Sequence, residues 1–389
     1  MANAQKVMEF FSFKRLLVPL LIGLSVSGYL LYQNFQEVLY VQVEDLKGNY
    51  TWQDTNQNQI QEKTESIFTP QKGNFIQQNV WELVQQIDWG WSAVWGFFMA
   101  FVCVVVRDFA YMVRLKILSK NFLTWKQCFN CIMLWETASA ITPSVVGGSG
   151  IAMFILKKEG IPLGKSTAIV MITALLDELF FIILVPLVIL ILGSKVVFPD
   201  YLEFSILGNQ LDIFTVFVIG YFFIVLLTSF IYLGIFILPV KLKKFLFYVF
   251  SNRILKKWRT DVIIIGNDII AASKEFKNQH FTFWLKTFGV TCFSWFARYL
   301  TANFVIAAFV SVNDHFIILA RQLVMWVIML ISPTPGGAGI AELLFVSLLK
   351  DASIHHLAII AAIIWRLFTF YPYLLIGSII FPKWIAKKR

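Results

Sequence analysis

Charged residues are scarce in this sequence of 389 residues: they account for 14% of it, whereas a soluble domain carries about 25%. Apolar residues account for 58%, and several apolar runs reach the roughly 20 residues that a helix needs to cross the hydrocarbon of a bilayer. A soluble protein of this length would have no core large enough to bury that much apolar surface. The sequence therefore predicts an all-α polytopic membrane protein in which residues 1–389 form a single transmembrane domain.

Cysteine and histidine are equally rare, with four residues of each. The cysteines lie in or beside apolar segments, so no disulfide framework is expected. Cys128 and Cys131 form a CxxC pair, but a structural zinc site needs four ligands, and no histidine lies near the pair in the sequence. The histidines match no metal-ligand pattern, and we therefore expect neither a metal nor another cofactor.

A nucleotide-binding motif is also missing. Gly164-Lys-Ser-Thr167 resembles the end of a phosphate-binding P-loop, but that pattern needs a glycine where this chain has Glu159. We therefore expect no built-in ATPase, and we predict that the chain is not an enzyme. The net charge of +10 does not indicate nucleic acid binding, because Lys and Arg gather between apolar runs, where they set membrane topology and contact anionic headgroups.

The apolar segments are separated by links of opposite charge. The segments fall near residues 16–33, 91–112, 129–156, 167–193, 213–238, 284–310, 316–349 and 356–381. The link from about 36 to 90 is acidic and is predicted to lie outside, whereas the link from about 239 to 282 is basic and is predicted to lie in the cytoplasm with both termini. The first apolar segment has no convincing cleavage site, and we interpret it as an uncleaved helix.

This charge pattern indicates that two segments are re-entrant. If 129–156 crossed the membrane once, Lys157, Lys158 and the basic 239–282 link would lie outside. If the segment instead dips into the membrane and returns, these charges stay in the cytoplasm. The same argument requires 316–349 to enter and leave from the outside, so that the basic tail ends inside. We therefore predict about six full crossings and two re-entrant hairpins, one from each face.

The two predicted hairpins share a motif of proline and glycine. The first reads Ile141-Thr-Pro-Ser-Val-Val-Gly-Gly-Ser-Gly-Ile-Ala152, and the second reads Ile331-Ser-Pro-Thr-Pro-Gly-Gly-Ala-Gly-Ile-Ala341. Proline breaks a helix because it lacks the amide donor, and glycine permits a tight reversal of the backbone. Similar hairpins that enter from opposite faces are typical of an inverted repeat.

Broken backbone at membrane depth is tolerated where it is buried in protein or lines a watery cavity. The half-helices that begin near Gly150 and Gly339 would point N-terminal amides into such a cavity, and these amides attract anions such as phosphate. The alternative is a pair of kinked or closely packed helices, since glycine is common in membrane helices. Two matched motifs favour the cavity, and their substrate-binding candidates are Thr142, Pro143, Gly147, Gly148, Gly150, Pro333, Pro335, Gly336, Gly337 and Gly339.

Ionisable residues inside spanning segments are costly, and they face the protein interior or water. Glu342 follows the glycines of the second hairpin and Arg366 lies near the middle of the last helix, so these two residues are the preferred substrate-binding candidates. Asp177, Glu178 and Arg298 are further candidates in other spanning segments. The alternative for each of them is an internal salt bridge that only holds helices together.

Four stretches resemble the flippase-like membrane module of the lysylphosphatidylglycerol synthase family. The most specific is Ser332-Pro-Thr-Pro-Gly-Gly-Ala-Gly-Ile-Ala-Glu342, which is similar to the signature of that module. Residues 365–377, with an early arginine followed by proline and glycine, resemble its last helix. Residues 107–118 resemble its second helix, and residues 142–148 its first hairpin. The resemblance covers most of the chain and leaves the acidic link as an insertion.

The resemblance implies a flippase-like fold and the handling of polar lipids. In the synthases this module moves an aminoacylated phospholipid between leaflets, and a separate soluble domain makes that lipid. No such domain is expected in this chain, so lysyl transfer is not predicted. The first hairpin departs from the family pattern, because Ile151, Ala152 and Met153 stand where an arginine is usual. This departure leaves the identity of the headgroup open.

These observations favour a translocase of the plasma membrane, whose partner is a membrane phospholipid or glycolipid. In this hypothesis a polar cavity carries the headgroup while the acyl tails stay in the lipid. A membrane enzyme that acts on a lipid headgroup is one alternative, and a membrane partner of a glycosyltransferase is another. A homo-oligomer is compatible with all three hypotheses.

Overall fold

The structure is a computed structural model. It describes residues 13–36, 39–43, 47–54, 66–87, 89–142, 148–198, 203–206, 209–249, 251, 259–312, 314–330, 332–349 and 357–386. Most of these residues are helical. The helices are α1 Phe13–Gln36, α2 Val80–Gln86, α3 Trp91–Leu118, α4 Trp125–Ile141, α5 Ser149–Lys158, α6 Leu163–Leu192, α7 Ser194–Val197, α8 Ile213–Tyr232 with a π-helical extension Leu233–Ile237, α9 Pro239–Val249, α10 Arg259–Lys277, α11 Phe281–Ala307, α12 His315–Met329, α13 Ile340–Leu349, α14 Ala358–Thr369 and α15 Tyr371–Ala386.

Five stretches of helix are long and apolar enough to cross a membrane. They are Leu16–Gln36, Trp91–Leu118, Leu163–Leu192, Ile213–Ile237 and Ala358–Ala386, the last of which joins α14 and α15. They coincide with five of the six predicted crossings, and the all-α polytopic class is confirmed. The remaining predicted crossing, 284–310, coincides with α11. That helix has 27 residues and reaches about 40 Å at 1.5 Å per residue, but it carries Lys286 and Arg298 and does not match the apolarity of the others.

The acidic link before α3 is more ordered than a polar loop. Strand β1, Leu39–Gln42, pairs antiparallel with β4, Phe75–Gln78, and strand β2, Thr51–Asp54, pairs antiparallel with β3, Ser66–Thr69. The rings of Tyr40 and Phe68 stack with their centroids 3.9 Å apart and hold the two pairs together. A third short pair, β5 Glu203–Ile206 and β6 Asn209–Asp212, precedes α8. The sequence did not predict these strands.

Each predicted hairpin contains two helices, and we call the link between them a break. The first break joins Ile141 of α4 to Ser149 of α5, and the second joins Met329 of α12 to Ile340 of α13. Residues 143–147 and 331 lie outside the described part of the chain. The helices of the first pair, α4 and α5, have 17 and 10 residues, and those of the second pair, α12 and α13, have 15 and 10. Each is shorter than the roughly 20 residues of a full crossing, and the two helices of each pair pack against each other. The predicted helix breaks are therefore present, while re-entry from a membrane face and the inverted repeat stay predictions.

Side-chain caps fix where each pair begins. At the start of α4, Thr124 and Gln127 form a capping box, in which the Thr124 amide donates to Gln127 Oε1 at 2.8 Å and the Gln127 amide donates to Thr124 Oγ1. At the start of α12, Asp314 Oδ1 accepts from the amides of Phe316 and Ile317. Such caps satisfy amides that have no partner within the helix.

The two breaks meet in the interior of the protein. The Gly336 amide, in the second break, donates to the carbonyl oxygen of Thr142, at the start of the first break, at 3.0 Å. A Cβ atom at Gly336 would lie 2.7 Å from the carbonyl oxygen of Ala140. Irregular backbone is tolerated at membrane depth when protein surrounds it, and here each break supplies part of that protein for the other.

Two apolar cores flank this meeting point. One joins α12, α13 and α14 with α11 and the C-terminal half of α6, and it contains the fully buried Val327 and Phe345. The other joins α4, α5 and α15 with the N-terminal half of α6, and it contains the buried Leu134 and Ile155. Helix α6 thus connects the surroundings of the first helix pair to those of the second.

The orientation of the chain is testable by labelling introduced cysteines. We expect Lys72→Cys, at an exposed position between β3 and β4, to react with an impermeant maleimide in intact cells. We expect Lys277→Cys, at the exposed end of α10, to react only after the cells are permeabilised. The native cysteines are buried, apart from the partly buried Cys292, so the unmodified protein is a low-background control. Labelling of Lys277→Cys in intact cells would overturn both the orientation and the two-hairpin topology.

Candidate functional site

A cavity of about 410 Å³ lies between the helices, next to the first break. It is lined by residues of α3, α4, α5, α6, α8, α11 and α12, and Ser139 and Ser149 mark where its wall meets the break. Its volume falls in the range of small-ligand sites. We call it the charged cavity, because its lining includes Arg114, Glu136, Asp177, Glu178 and Arg298.

In one ion pair of the lining, both side chains have several polar partners. Arg114 on α3 makes a two-pronged contact with Asp177 on α6, with Nη1–Oδ1 at 2.5 Å and Nη2–Oδ2 at 3.2 Å. Arg114 Nη1 also donates to Thr291 Oγ1, and the indole Nε1 of Trp295 donates to Asp177 Oδ1 at 2.9 Å. These contacts hold α3, α6 and α11 together, so Asp177 serves as part of the wall.

A second ionic cluster backs the lining on the side of α4. Arg107, which is 1% exposed, places Nη2 2.5 Å from Glu136 Oε2, and its Nη1 donates to the hydroxyl oxygen of Tyr373 at 2.9 Å. The Tyr373 hydroxyl in turn donates to Asp108 Oδ2 at 2.8 Å. The cluster joins α3, α4 and α15, and it leaves Glu136 with a cationic partner.

Glu178 has no such partner. Its side chain is buried, with 7% of the residue exposed, and it lines the charged cavity. Its Oε2 atom is inaccessible and accepts no hydrogen bond from any residue that the structure describes. A buried carboxyl group without a partner is costly, so a ligand that supplies a donor or a positive charge here would be stabilised.

Arg298 is the corresponding cation. Its guanidinium carbon lies 4.3 Å from the centroid of the Trp326 ring and 5.3 Å from the Trp295 ring. Within the described part of the chain, it forms neither an ion pair nor a hydrogen bond. A guanidinium group stacked on aromatic faces keeps its N–H edge available. Among the residues that the structure describes, the charged cavity therefore contains one guanidinium group and one carboxyl group without a close ion pair, and we call these two groups unpaired.

The preferred sequence candidates, Glu342 and Arg366, form a closed pair elsewhere. Arg366 Nε lies 3.1 Å from Glu342 Oε1, and the Gly339 amide donates to Glu342 Oε2 at 2.8 Å. Arg366 Nη2 also donates to the carbonyl oxygen of Gly336 at 3.2 Å. Glu342 is fully buried, and neither residue lines the charged cavity. The pair ties α14 to the second break, and its predicted contact with a lipid phosphate stays a prediction.

The described proline and glycine candidates lie in or beside the breaks, and none of them lines the cavity. Gly336, Gly337 and Gly339 have positive φ angles of 57°, 68° and 84°, a conformation that other residues rarely adopt. Gly148 packs against Ser139, whereas no described residue beyond its own helix lies within 4 Å of a Cβ added at Gly150. Thr142 donates to the Ala138 carbonyl oxygen and Pro333 and Pro335 lie within the second break, while Pro143 and Gly147 lie outside the described residues.

The sequence candidates thus divide between two places. Asp177, Glu178 and Arg298 meet in the charged cavity, whereas Glu342 and Arg366 brace the second break. The two tryptophan rings that contact Arg298, Trp295 and Trp326, were not among the sequence candidates. The i,i+3 spacing of Trp295 and Arg298 places both on one face of a helix, but nothing in the sequence brings Trp326 to that face. In the part of the chain that the structure describes, no cluster of His, Cys, Asp and Glu could hold a metal ion.

The fold and this cavity define a polytopic helical membrane protein built around broken helices. The family described as lysylphosphatidylglycerol synthase TM region matches residues 74–377, and the chain belongs to that family. This confirms the resemblance found in the sequence. A "UPF0104 membrane protein" of Archaeoglobus fulgidus is 23% identical over 312 residues, which cover 77% of this chain and 88% of the relative. No solved structure matches the chain.

Proposed function

We propose that this protein is a translocase that moves a polar or charged lipid between the leaflets of the plasma membrane. The observation that carries the proposal is the charged cavity, with its unpaired Glu178 and Arg298, inside a bundle of membrane-spanning helices. An unpaired charge within a membrane protein is expensive and marks a path for a substrate or an ion. A headgroup that enters the cavity would replace the lost hydration of these charges while its acyl tails stay in the lipid.

The proposal is tested by reconstitution of the purified protein in liposomes. We expect accelerated exchange of acyl-labelled phospholipids or glycolipids between the leaflets, measured by chemical quenching of the label in the outer leaflet. No acceleration for any lipid, with protein that is folded and inserted, contradicts the proposal. Recovery of a covalently changed lipid would instead support an enzyme that acts on the headgroup.

A variant that fills the cavity tests whether the headgroup passes through it. Ala174 lies on α6 and lines the charged cavity, and Ala174→Trp would place a large ring inside it. We expect lipid exchange to fall to the rate of protein-free liposomes. The matched control is Ile183→Trp on the same helix, where the native side chain is 49% exposed on the outer surface of the bundle. Equal exchange by both variants would place the path of the headgroup elsewhere.

A further inference from the structure

We infer that the charged cavity selects a headgroup with one phosphate and one ammonium group, and this inference rests on the translocase function proposed above. The lining carries the argument, because two of its five carboxyl and guanidinium side chains make no close ion pair with a described residue. Arg114 is held by Asp177, and Glu136 is held by Arg107. What remains is Arg298 on α11 and Glu178 on α6.

Arg298 suits the phosphate. Its guanidinium carbon lies within 5.3 Å of the ring centroids of Trp295 and Trp326, and these cation–π contacts leave its N–H groups free to donate to a ligand. A guanidinium edge matches two phosphate oxygens through parallel hydrogen bonds. No carboxylate oxygen of a described residue lies within 4.0 Å of the Arg298 nitrogen atoms, and Glu136 and Asp108 attract this guanidinium only from a longer distance.

Glu178 suits the ammonium group. Of the carboxylates that line the cavity, Asp177 and Glu136 already have cationic partners within 2.5 Å. Glu178 has none among the described residues, and its Oε2 atom is buried without a hydrogen bond. A primary ammonium group has three donors and a positive charge, so it would give the Glu178 carboxyl group a donor and a counter-charge in a single contact.

One unpaired guanidinium group and one unpaired carboxyl group favour some classes of headgroup over others. A headgroup that is only anionic would pair with Arg298 but leave the Glu178 carboxyl group without a counter-charge. A headgroup with two ammonium groups would leave one of them without a carboxylate, because the lining offers one unpaired carboxyl group. A binding site discriminates against a headgroup when binding would leave a buried charge unpaired. A zwitterionic headgroup such as phosphoethanolamine pairs with both.

The test compares lipids that share an acyl label and differ in the headgroup. In proteoliposomes of the full-length chain, we expect phosphatidylethanolamine to exchange between leaflets at least about tenfold faster than phosphatidylglycerol or lysylphosphatidylglycerol, since a tenfold ratio needs only about 1.4 kcal/mol. Fast exchange of phosphatidylglycerol with slow exchange of phosphatidylethanolamine overturns the inference but leaves the translocase function standing. No exchange of any lipid overturns both.

Two variants test the assigned contacts. Glu178→Gln removes the carboxylate but leaves Arg298, so we expect it to reverse the preference and favour phosphatidylglycerol. Arg298→Gln should slow phosphatidylethanolamine at least about tenfold without such a reversal. Glu275→Gln is a matched control, because Glu275 pairs with Lys120 and Lys165 away from the cavity. An unchanged preference in Glu178→Gln overturns the inference.

If these variants do not fold, the melting temperature of the unmodified protein with added lipid tests the same inference. We expect short-chain phosphatidylethanolamine to raise the melting temperature of the detergent-solubilised protein more than short-chain phosphatidylglycerol at the same concentration, since a ligand that binds only the folded state stabilises it. A larger shift with phosphatidylglycerol overturns the inference. Equal shifts with both lipids overturn it as well.

Discussion

Replacing Glu342 by alanine is expected to destabilise the protein by about 3–5 kcal/mol, because it leaves a buried guanidinium without its partner. Arg366 is 4% exposed and cannot turn to water without opening the contact between α14 and the second break. The change also removes the acceptor of the Gly339 amide. The measurement is thermal unfolding in detergent, monitored by size-exclusion chromatography of heated samples, and a fall in melting temperature of about 4–6 °C is expected.

The control is Glu275→Ala, which removes a carboxylate from partly exposed pairs with Lys120 and Lys165. Such pairs contribute at most about 1 kcal/mol, so we expect a much smaller fall in melting temperature. A Glu342→Ala variant as stable as the control would contradict the bracing role that the structure gives to this pair.

Milder replacements separate this brace from a binding site. Glu342→Gln keeps shape but removes charge, and Arg366→Lys keeps charge but removes the fork of donors. If the pair is a brace, lost exchange activity will track lost folded protein in both variants. Normal amounts of folded protein without exchange would instead support the phosphate contact that the sequence suggested for Arg366.

Replacing Gly336 by alanine is the second change with a large expected effect. Gly336 has a φ angle of 57°, which costs about 1–2 kcal/mol for a residue with a Cβ atom. That atom would also lie 2.7 Å from the carbonyl oxygen of Ala140 and would press on the ring of Phe370. We expect the two breaks to move apart, the hydrogen bond to Thr142 to be lost and the melting temperature to fall by several degrees.

Gly150→Ala is the matched control for that change. Gly150 belongs to the equivalent motif of the first break, but it lies in α5, and no described residue beyond its own helix comes within 4 Å of an added Cβ. Alanine is favoured over glycine in a helix by about 1 kcal/mol, so we expect an unchanged or slightly higher melting temperature. An equal loss of stability in both variants would show that the close contact between the breaks is not what the glycine at position 336 serves.

Hydrophobic patterning was enough to predict the class of protein. The length of an apolar run is a local property, and five of the six predicted crossings coincide with long apolar helices. The helix breaks were equally predictable, because proline and glycine act on the backbone at their own positions. The family also followed from local motifs, above all residues 332–342. The strands of the acidic link were not predicted, since each has four residues and pairs with a distant segment.

The sequence by itself determined where charges enter the membrane-spanning segments, and only the tertiary structure decided which of them are neutralised. Asp177 and Glu178 are adjacent in the sequence, yet Asp177 is bound by Arg114, 63 residues away, while Glu178 has no partner among the described residues. Likewise, Glu342 meets Arg366 of the next helix beside the second break, whereas Arg298 contacts Trp326 of another helix. The physical reason is that the cost of a buried charge depends on the groups within a few ångströms of it, and helix packing, which joins distant parts of the chain, selects those groups.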